Sequence, residues 1–246
     1  ALARDWGAEV VVLDGNPGFG AANNAALSLA REPVSVLLNP DCVLLDDGLS
    51  RLAAMAGTRR ALLAPRLLNS DGSLQRSAHP VPGGLDAYVA AVTIPRLLPR
   101  RLREHFEPYR SADEIEVGWV IGACVAAPTK LLRELGPFDP EDFLFAEDID
   151  LCLRARAQGV PTIFEPSIEI EHSGGHTSSE RLDAARYALQ AERRREVVEA
   201  QLGSSALKRD DRAQALTFSL RAAAGRDRRR NQMLLRSLRV AQNKSS

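Results

Sequence analysis

The spacing of apolar and polar positions changes several times along the chain, and each change predicts an element. A β-branched run at 10–13 (VVVL) is bounded by Asp14-Gly15-Asn16-Pro17-Gly18, which reads as a strand entering a loop. Residues 20–31 (GAANNAALSLAR) have a helical pattern, and 34–38 (VSVLL) form a second, buried strand. Strand, helix and strand in this order make a βαβ unit, so a mostly parallel sheet flanked by helices is expected. Ligands in such sheets collect beyond the carboxyl ends of the strands, where the loop at 16–20 and the tripeptide Asn39-Pro40-Asp41 both fall. A helix follows at 46–56. The stretch 62–108 is rich in Pro, Arg and turn dipeptides such as Asp71-Gly72 and Gly83-Gly84, and is expected to be loop-dominated surface. EVGWVIGACVAAP then predicts a strand pair or one bent strand, with a helix over 129–135 and another running from an acidic cluster to 158. PTIFEP and IEIEH follow as strands, the second leading into the polar loop SGGHTSS. Residues 180–242 read as helices broken at 203–205 and near 225, and there is no internal repeat. The organisation is α/β over 1–179 with a helical extension over 180–246.

Composition sharpens this picture in three ways. With 246 residues, 45% of them hydrophobic and 26% charged, the chain can bury a substantial core. Its zero formal charge hides an asymmetry: from Glu180 onward there are 16 Lys plus Arg against 8 Asp plus Glu, leaving 16 against 24 before it. The body is acidic and the tail basic, which suits a solvated tail or one resting on an anionic surface. Cys42, Cys124 and Cys152 form no CxxC pattern, which argues against a zinc site or a disulfide framework and for a reducing compartment. No apolar stretch approaches the roughly 18 to 20 residues of a membrane span, and no signal peptide precedes the first strand, so a cytoplasmic location is expected. The opening ALARDWG lacks a methionine and reads as a cut edge.

Three groups of residues carry candidate chemistry. Glu147, Asp148 and Asp150 follow an aromatic and aliphatic run, FLFA, that ought to be buried. Acids there either cap a helix N-terminus, where the macrodipole favours them, or place a catalytic base at the mouth of a cleft. Asp41, delivered across Asn39-Pro40 from a buried strand, is either part of a turn or an oxygen ligand for Mg²⁺ or Mn²⁺ at the ligand edge of the sheet. His172 and His176 flank Gly174-Gly175 in a polar loop downstream of both. Together they suit one reaction, in which a metal neutralises a leaving diphosphate while a carboxylate takes the proton of an attacking hydroxyl.

In this order, NPGFGAANNAAL, VLLNPDCVL, GWVIGACVAAPTKLLRELGPFDPEDFLFAEDIDLCLRARAQG and EHSGGHTS resemble the inverting family 2 glycosyltransferases. The likeness is to the rhamnosyltransferase-like branch with a GT-A fold, and it covers residues 10–179. The resemblance implies roles at matching positions. Asp41 stands for the metal-binding last acid of the family's DxD motif, with Asn39 in place of the first. Asp148 matches the second acid of the ED pair and would be the base, and Glu147 would orient it or touch the acceptor. His172 matches a histidine that completes the metal site, with His176 as the fallback ligand. Asn16, Gly18, Gly20 and Asn24 match the loop and helix bordering the nucleotide-sugar site, and Gly122 and Ala123 match small residues below the acceptor cleft. Pro128 departs from the family, where an arginine is more usual. The family's leading strand, helix and second strand, ending in a DNxSxDGS-like loop that holds the nucleotide, has no counterpart here, so the chain is expected to begin partway through its domain.

The resulting expectation is an inverting, metal-dependent transferase that takes a sugar, dTDP-L-rhamnose before others, to a saccharide or lipid-linked saccharide hydroxyl. Two rivals stay open: a galactofuranosyl or other hexosyl transferase of the same fold, and a non-catalytic truncated domain acting as an assembly partner. In the tail, Met233, Leu234, Leu238 and Val240 fall along one side of a helix with Arg228, Arg229, Arg236 and Arg239 around it. That helix either lies on the inner face of the plasma membrane as a peripheral anchor, or packs on the catalytic domain or a second subunit in a homodimer. Nucleic acid is not an expected partner, because the basic tail lacks interleaved aromatics.

Overall fold

The computed structural model describes residues 2–5, 7–16, 18–92, 98–136, 138, 145–173, 180–225 and 227–244. In chain order the elements begin with α1 (Leu2–Asp5), α2 (Phe19–Leu29), β1 (Val34–Leu38), β2 (Cys42–Leu44), α3 (Gly48–Gly57), β3 (Leu62–Leu68) and β4 (Ala78–His79). They continue with α4 (Leu85–Val92), α5 (Arg100–Phe106), β5 (Ile115–Val117), β6 (Trp119–Val120), β7 (Cys124–Pro128), α6 (Thr129–Glu134), α7 (Glu147–Ala157) and β8 (Thr162–His172). The chain closes with α8 (Glu180–Leu202), α9 (Ser204–Ala223) and α10 (Arg228–Lys244).

The main sheet runs β1-β7-β3-β8-β2, with β5 also paired to β8, while β4 and β6 form a small separate ladder. Period-two alternation sends the side chains of its strands to two faces. Leu62, Ala64, Val125, Ala127 and Phe164 pack with Leu131 and Leu132 of α6 and Leu151 and Cys152 of α7. On the other face Leu63, Leu67, Cys124, Ala126, Ile168 and Ile170 pack with Leu52 and Ala56 of α3. Helices on both faces of a central sheet bear out the α/β expectation.

Three expectations about strands are corrected. The sheet is mixed rather than mostly parallel: β3–β8 is the parallel pair, whereas β7 runs antiparallel to both β1 and β3, and β2 and β5 run antiparallel to β8. β1, β3 and β8 do share one direction, but β7 inserts between the first two and reverses the ladder. Residues 10–13 are not a strand; Val10, Val11 and Val12 are exposed at 39%, 43% and 78%. A β-branched run becomes a strand only where a neighbour accepts its N–H and C=O groups, and no described strand lies alongside. Conversely, the start of the 62–108 stretch is the central strand β3, with Leu62 and Leu63 fully buried. Pro65 suggests a break, but the register with β8 shifts between Pro65 and Arg66, and such an irregularity is where a sheet tolerates a proline. The same irregularity explains why PTIFEP and IEIEH join into the single strand β8.

The tail helices dock on the body. α8 packs on α7, α9 on α4, and α10 on α8 and α9. Two ion pairs stitch α8 to α9: Arg194 holds Asp210 through Nε and Nη2, both at 2.9 Å, and Arg195 holds Asp211. On α10, Leu238 is buried and Met233 and Leu234 half-buried in this packing, while Val240 stays exposed at 52%. The apolar stripe is therefore used within the molecule. No described helix is long and apolar enough to cross a membrane.

Candidate active site

β1 delivers the chain to the turn Asn39-Pro40-Asp41, which is closed by Cys42 N–H donating to Asn39 O at 3.2 Å. β2 then pairs antiparallel with the end of β8, with Cys42 opposite His172. This register, together with Ser173 N–H donating to Asp41 O at 3.1 Å, brings Asp41 Oδ1 to 3.3 Å from His172 Nε2. The other ring nitrogen of His172, Nδ1, lies 2.8 Å from Gln75 Oε1, and Gln75 Nε2 donates to His172 O at 3.2 Å and to Asn69 Oδ1 at 3.1 Å. With its amide nitrogen committed to two acceptors, Gln75 presents only an acceptor to Nδ1–H, which leaves Nε2 as the atom facing Asp41.

This donor set fits a divalent cation. The Asp41 oxygen and the His172 nitrogen converge, and at the start of the same turn Asn39 Oδ1 is buried without a hydrogen-bond partner. Among the described residues no group of three or more His, Cys, Asp and Glu could hold a metal, so the remaining positions would fall to oxygens of a bound ligand, as Mg²⁺ and Mn²⁺ prefer. His176, the fallback ligand, lies outside the described residues.

The acidic half of the site begins with strain. Phe145 and Ala146 have φ of 74° and 67°, left-handed values that side chains rarely adopt, and the cost of about 1 to 3 kcal/mol each clusters characteristically at functional sites. Ala146 is the N-cap of α7 and supplies no side-chain cap, so the free N–H groups of the first turn are left to the acids that follow. Asp148 Oδ1 accepts from Ile149 N–H at 2.8 Å and Oδ2 from Gly122 N–H at 3.2 Å. A Cβ at Gly122 would stand 3.3 Å from Asp148 Cβ, so only a glycine lets the carboxylate this close to the backbone without crowding. Asp148 also borders a cavity of about 10 Å³ shared with Phe19, Leu37, Val120, Phe138, Leu151 and Cys152. Burial in these apolar surroundings pushes its carboxyl above the usual range, against the pull of the two N–H groups and of Arg194. Asp150 has a different task, bonded to Arg154 Nε at 2.6 Å one turn on and to Gln201 Nε2 of α8 at 2.8 Å. Glu147, the first residue of α7, is half-buried.

The remaining sequence-derived positions divide. Gly18 has φ 90°, which needs glycine, and its N–H donates to Asn16 Oδ1 at 3.2 Å, shaping the entry of α2. Gly20 is buried in that first turn. Asn24 is spent elsewhere: its Nδ2 donates to Phe138 O at 2.7 Å and its Oδ1 accepts from Phe138 N–H at 2.8 Å, so its amide secures a loop rather than facing a ligand. Phe138 in turn meets Phe19 edge-on with ring centroids 5.8 Å apart. Ala123 is fully buried in the core and cannot line a cleft through its side chain, but its carbonyl accepts from Asn39 N–H at 2.8 Å and from Cys42 Sγ at 3.4 Å. Sequence reasoning missed Gln75, which sits in the stretch read as loop surface.

Residues 1–197 match the model of a family described as "Glycosyltransferase like family 2". The chain is 28% identical over 182 residues to an N-acetylglucosaminyl-diphospho-decaprenol L-rhamnosyltransferase of Mycobacterium tuberculosis, in both strain CDC 1551 and strain H37Rv, a match covering 66% of this chain and 58% of the relative. It is 25% identical over 152 residues to the low-salt glycan biosynthesis hexosyltransferase Agl10 of Haloferax volcanii, covering 59% of this chain and 45% of that protein. Among solved structures, GalNAc-T7 with UDP, GalNAc and Mn²⁺ aligns with a TM-score of 0.50 at 15% identity, over 86% of this chain and 45% of that one, a likeness of fold.

Proposed function

The chain belongs to glycosyltransferase-like family 2, and from this premise we propose that it transfers a sugar from a nucleotide-diphosphate donor to a saccharide hydroxyl with inversion at the anomeric carbon. The observation that carries the reading is that both halves of the site hang on one pair of peptide units: Gly122 N–H holds Asp148, and Ala123 O holds the Asn39 turn that presents Asp41. The base and the donor-side carboxylate are thereby fixed with respect to each other by backbone. Asp148 takes the acceptor proton, and the carboxyl raised by its apolar surroundings is a stronger base than an exposed aspartate. Glu147 lies at the acceptor side, and Gly18 with Asn16 shapes the donor-side loop. Asp41 and His172 would hold Mg²⁺ or Mn²⁺, which, when bound, supplies positive charge for a departing diphosphate.

L-Rhamnose is the sugar we propose first, supported by the name of the Mycobacterium tuberculosis relatives, and a lipid-linked saccharide is the acceptor class their name suggests. A different hexose is the second reading, supported by the hexosyltransferase name of the Haloferax volcanii relative. Titration calorimetry and transfer assays across dTDP-, UDP- and GDP-sugars with Mn²⁺ separate the two. Asp41→Ala is expected to abolish Mn²⁺-dependent donor binding, whereas Asp148→Asn keeps donor binding and loses transfer by about 10²-fold or more, the usual range for a general base. A chain that binds no nucleotide sugar, or an Asp148→Asn variant with undiminished transfer, overturns the proposal.

A further inference from the structure

The turn that leaves β3, Asn69-Ser70-Asp71-Gly72-Ser73, reads in the sequence as plain loop surface, yet its side chains run toward the cation site. Backbone alone closes it. Asn69 N–H donates to Ser73 O and Gly72 N–H to Asn69 O, both at 2.8 Å, and Gly72 has a φ of 77° that suits glycine. Gln75 N–H, donating to Leu67 O at 2.9 Å, then brings the chain back alongside β3. The polar side chains are therefore not needed to form the turn, and they make a line of hydrogen bonds of their own. Asp71 Oδ1 accepts from the Ser73 hydroxyl at 2.5 Å and from Ser73 N–H at 2.9 Å. Ser73 Oγ accepts from Asn69 Nδ2 at 2.8 Å, Asn69 Oδ1 accepts from Gln75 Nε2 at 3.1 Å, and Gln75 Oε1 lies 2.8 Å from His172 Nδ1. The line thus joins the exposed Asp71 carboxylate to the buried His172 imidazole.

Resting on the reading of Asp41 and His172 as the cation site, we propose that Asn69 and Ser73, directed by Asp71, are positioning residues for it: acting through Gln75, they keep the His172 proton on Nδ1 and leave Nε2 open to a divalent cation. Both ends of the line can only accept. Hydrogen bonds from the Ser73 hydroxyl and N–H hold the Asp71 carboxyl below its usual range, so it stays ionised and takes the hydroxyl proton. A hydroxyl has one proton to give, so Ser73 Oγ meets Asn69 as an acceptor, and Asn69 turns its NH₂ to Ser73 and its Oδ1 to Gln75. At the other end, Gln75 Nε2 also donates to the His172 carbonyl at 3.2 Å. Flipping either amide would oppose like groups, oxygen against oxygen or N–H against N–H. Gln75 Oε1 is thereby aimed at Nδ1, which must carry the proton. The competing arrangement is set by Asp41, whose Oδ1 lies 3.3 Å from Nε2. With Gln75 loosened, that carboxylate becomes the better acceptor for the imidazole proton, and an N–H at Nε2 would stand where a cation has to bind. The turn decides this contest between the two ring nitrogens in favour of the cation.

The test reads the proton directly. Nitrogen NMR of the neutral imidazole in the metal-free chain, with the His172 signal assigned by His172→Gln, should show the wild-type proton on Nδ1. Asn69→Ala and Ser73→Ala should raise the share with the proton on Nε2, whereas Ser73→Thr, which keeps the hydroxyl, should restore the wild-type signal. In titration calorimetry with dTDP present, Mn²⁺ affinity should fall by about 10-fold in the two alanine variants, as for other outer partners of a metal ligand, and recover in Ser73→Thr. A displaced proton together with weakened Mn²⁺ binding supports the proposal. A wild-type imidazole signal and wild-type Mn²⁺ affinity in both alanine variants overturn it, and a lowered unfolding midpoint alone would leave the turn with a purely structural part. If the wild-type chain with dTDP binds no Mn²⁺, or His172→Gln binds it as tightly as wild type, the reading of the cation site fails instead, and the imidazole signal still tells whether the turn orients His172.

Discussion

Asp148 combines two demands that oppose each other. Its folded carboxyl titrates above the ordinary 3.8, so the native state holds the extra proton between these values and loses stability as pH rises through that window. Asp148→Asn removes the slope, but an amide offers one acceptor where the carboxylate serves two N–H groups, at Gly122 and Ile149. The two effects offset, so the variant is expected to unfold within about 1 kcal/mol of wild type near neutral pH, as denaturant titration would measure, while transfer collapses. Parallel loss of folding and turnover would return the acid to a structural role. Gln75 makes the complementary case. It orients His172 through three hydrogen bonds of its own and does not face the cation, so Gln75→Ala should weaken Mn²⁺ binding in the presence of nucleotide by about 10- to 100-fold, read by calorimetry. Affinity equal to wild type would remove His172 from the proposed ligand set.

At the scale of elements, the sequence was legible where local pattern and tertiary setting agree. The helices at α2, α3 and α7 follow from their own residues, and the breaks around Gly203 and Gly225, both at positive φ, separate the tail helices where a chain reversal needs glycine. Asp41 and His172 were both named from the motifs, and β2–β8 pairing brings them together across the sheet. Legibility failed where the outcome depends on a partner. β3 contains a proline that only its bulge against β8 accommodates, and Val10–Val12 have strand-forming side chains with no described ladder to join. Gln75 lies 97 residues from His172, and no spacing rule joins them. The turn from β5 to β6 shows how tight such non-local settings are. A Cβ at Gly118 would meet Val81 N at 2.2 Å and Pro80 C at 2.3 Å, both backbone atoms, so the strand ladder that carries Trp119 would have to part from the 80–84 loop. Gly118→Ala is expected to cost about 3 kcal/mol, at the upper end of overpacking, measurable as a lower unfolding midpoint. A change within about 0.5 kcal/mol would mean that the loop can yield.

For the whole molecule, the uneven charge raises the question of what the basic tail does once it is docked. Insertion of α10 into a bilayer would require its apolar side, but Leu238 is 1% exposed and Ala241 3%, both packed against α8 and α9. Peeling that helix away would uncover the ion-paired interior of the bundle. What remains for an anionic surface is the outer row, where Arg228, Arg230, Arg236 and Arg239 are exposed. Contact through these is electrostatic alone, gaining about 1 kcal/mol per basic residue held near the surface and weakening as salt shortens the Debye length. The expected behaviour follows: the chain co-sediments with vesicles containing anionic lipid at low ionic strength, is released at high ionic strength, and ignores neutral vesicles. Reversing the four charges to glutamate should abolish the binding with little loss of fold, since the positions are exposed. Leu238→Gln, by contrast, should destabilise the bundle by about 2 kcal/mol or more without a specific effect on vesicle affinity, because that side chain serves the interior. Vesicle binding that survives charge reversal, or that persists in high salt, would show that the docked arrangement opens on the membrane and that α10 is released from α8 and α9.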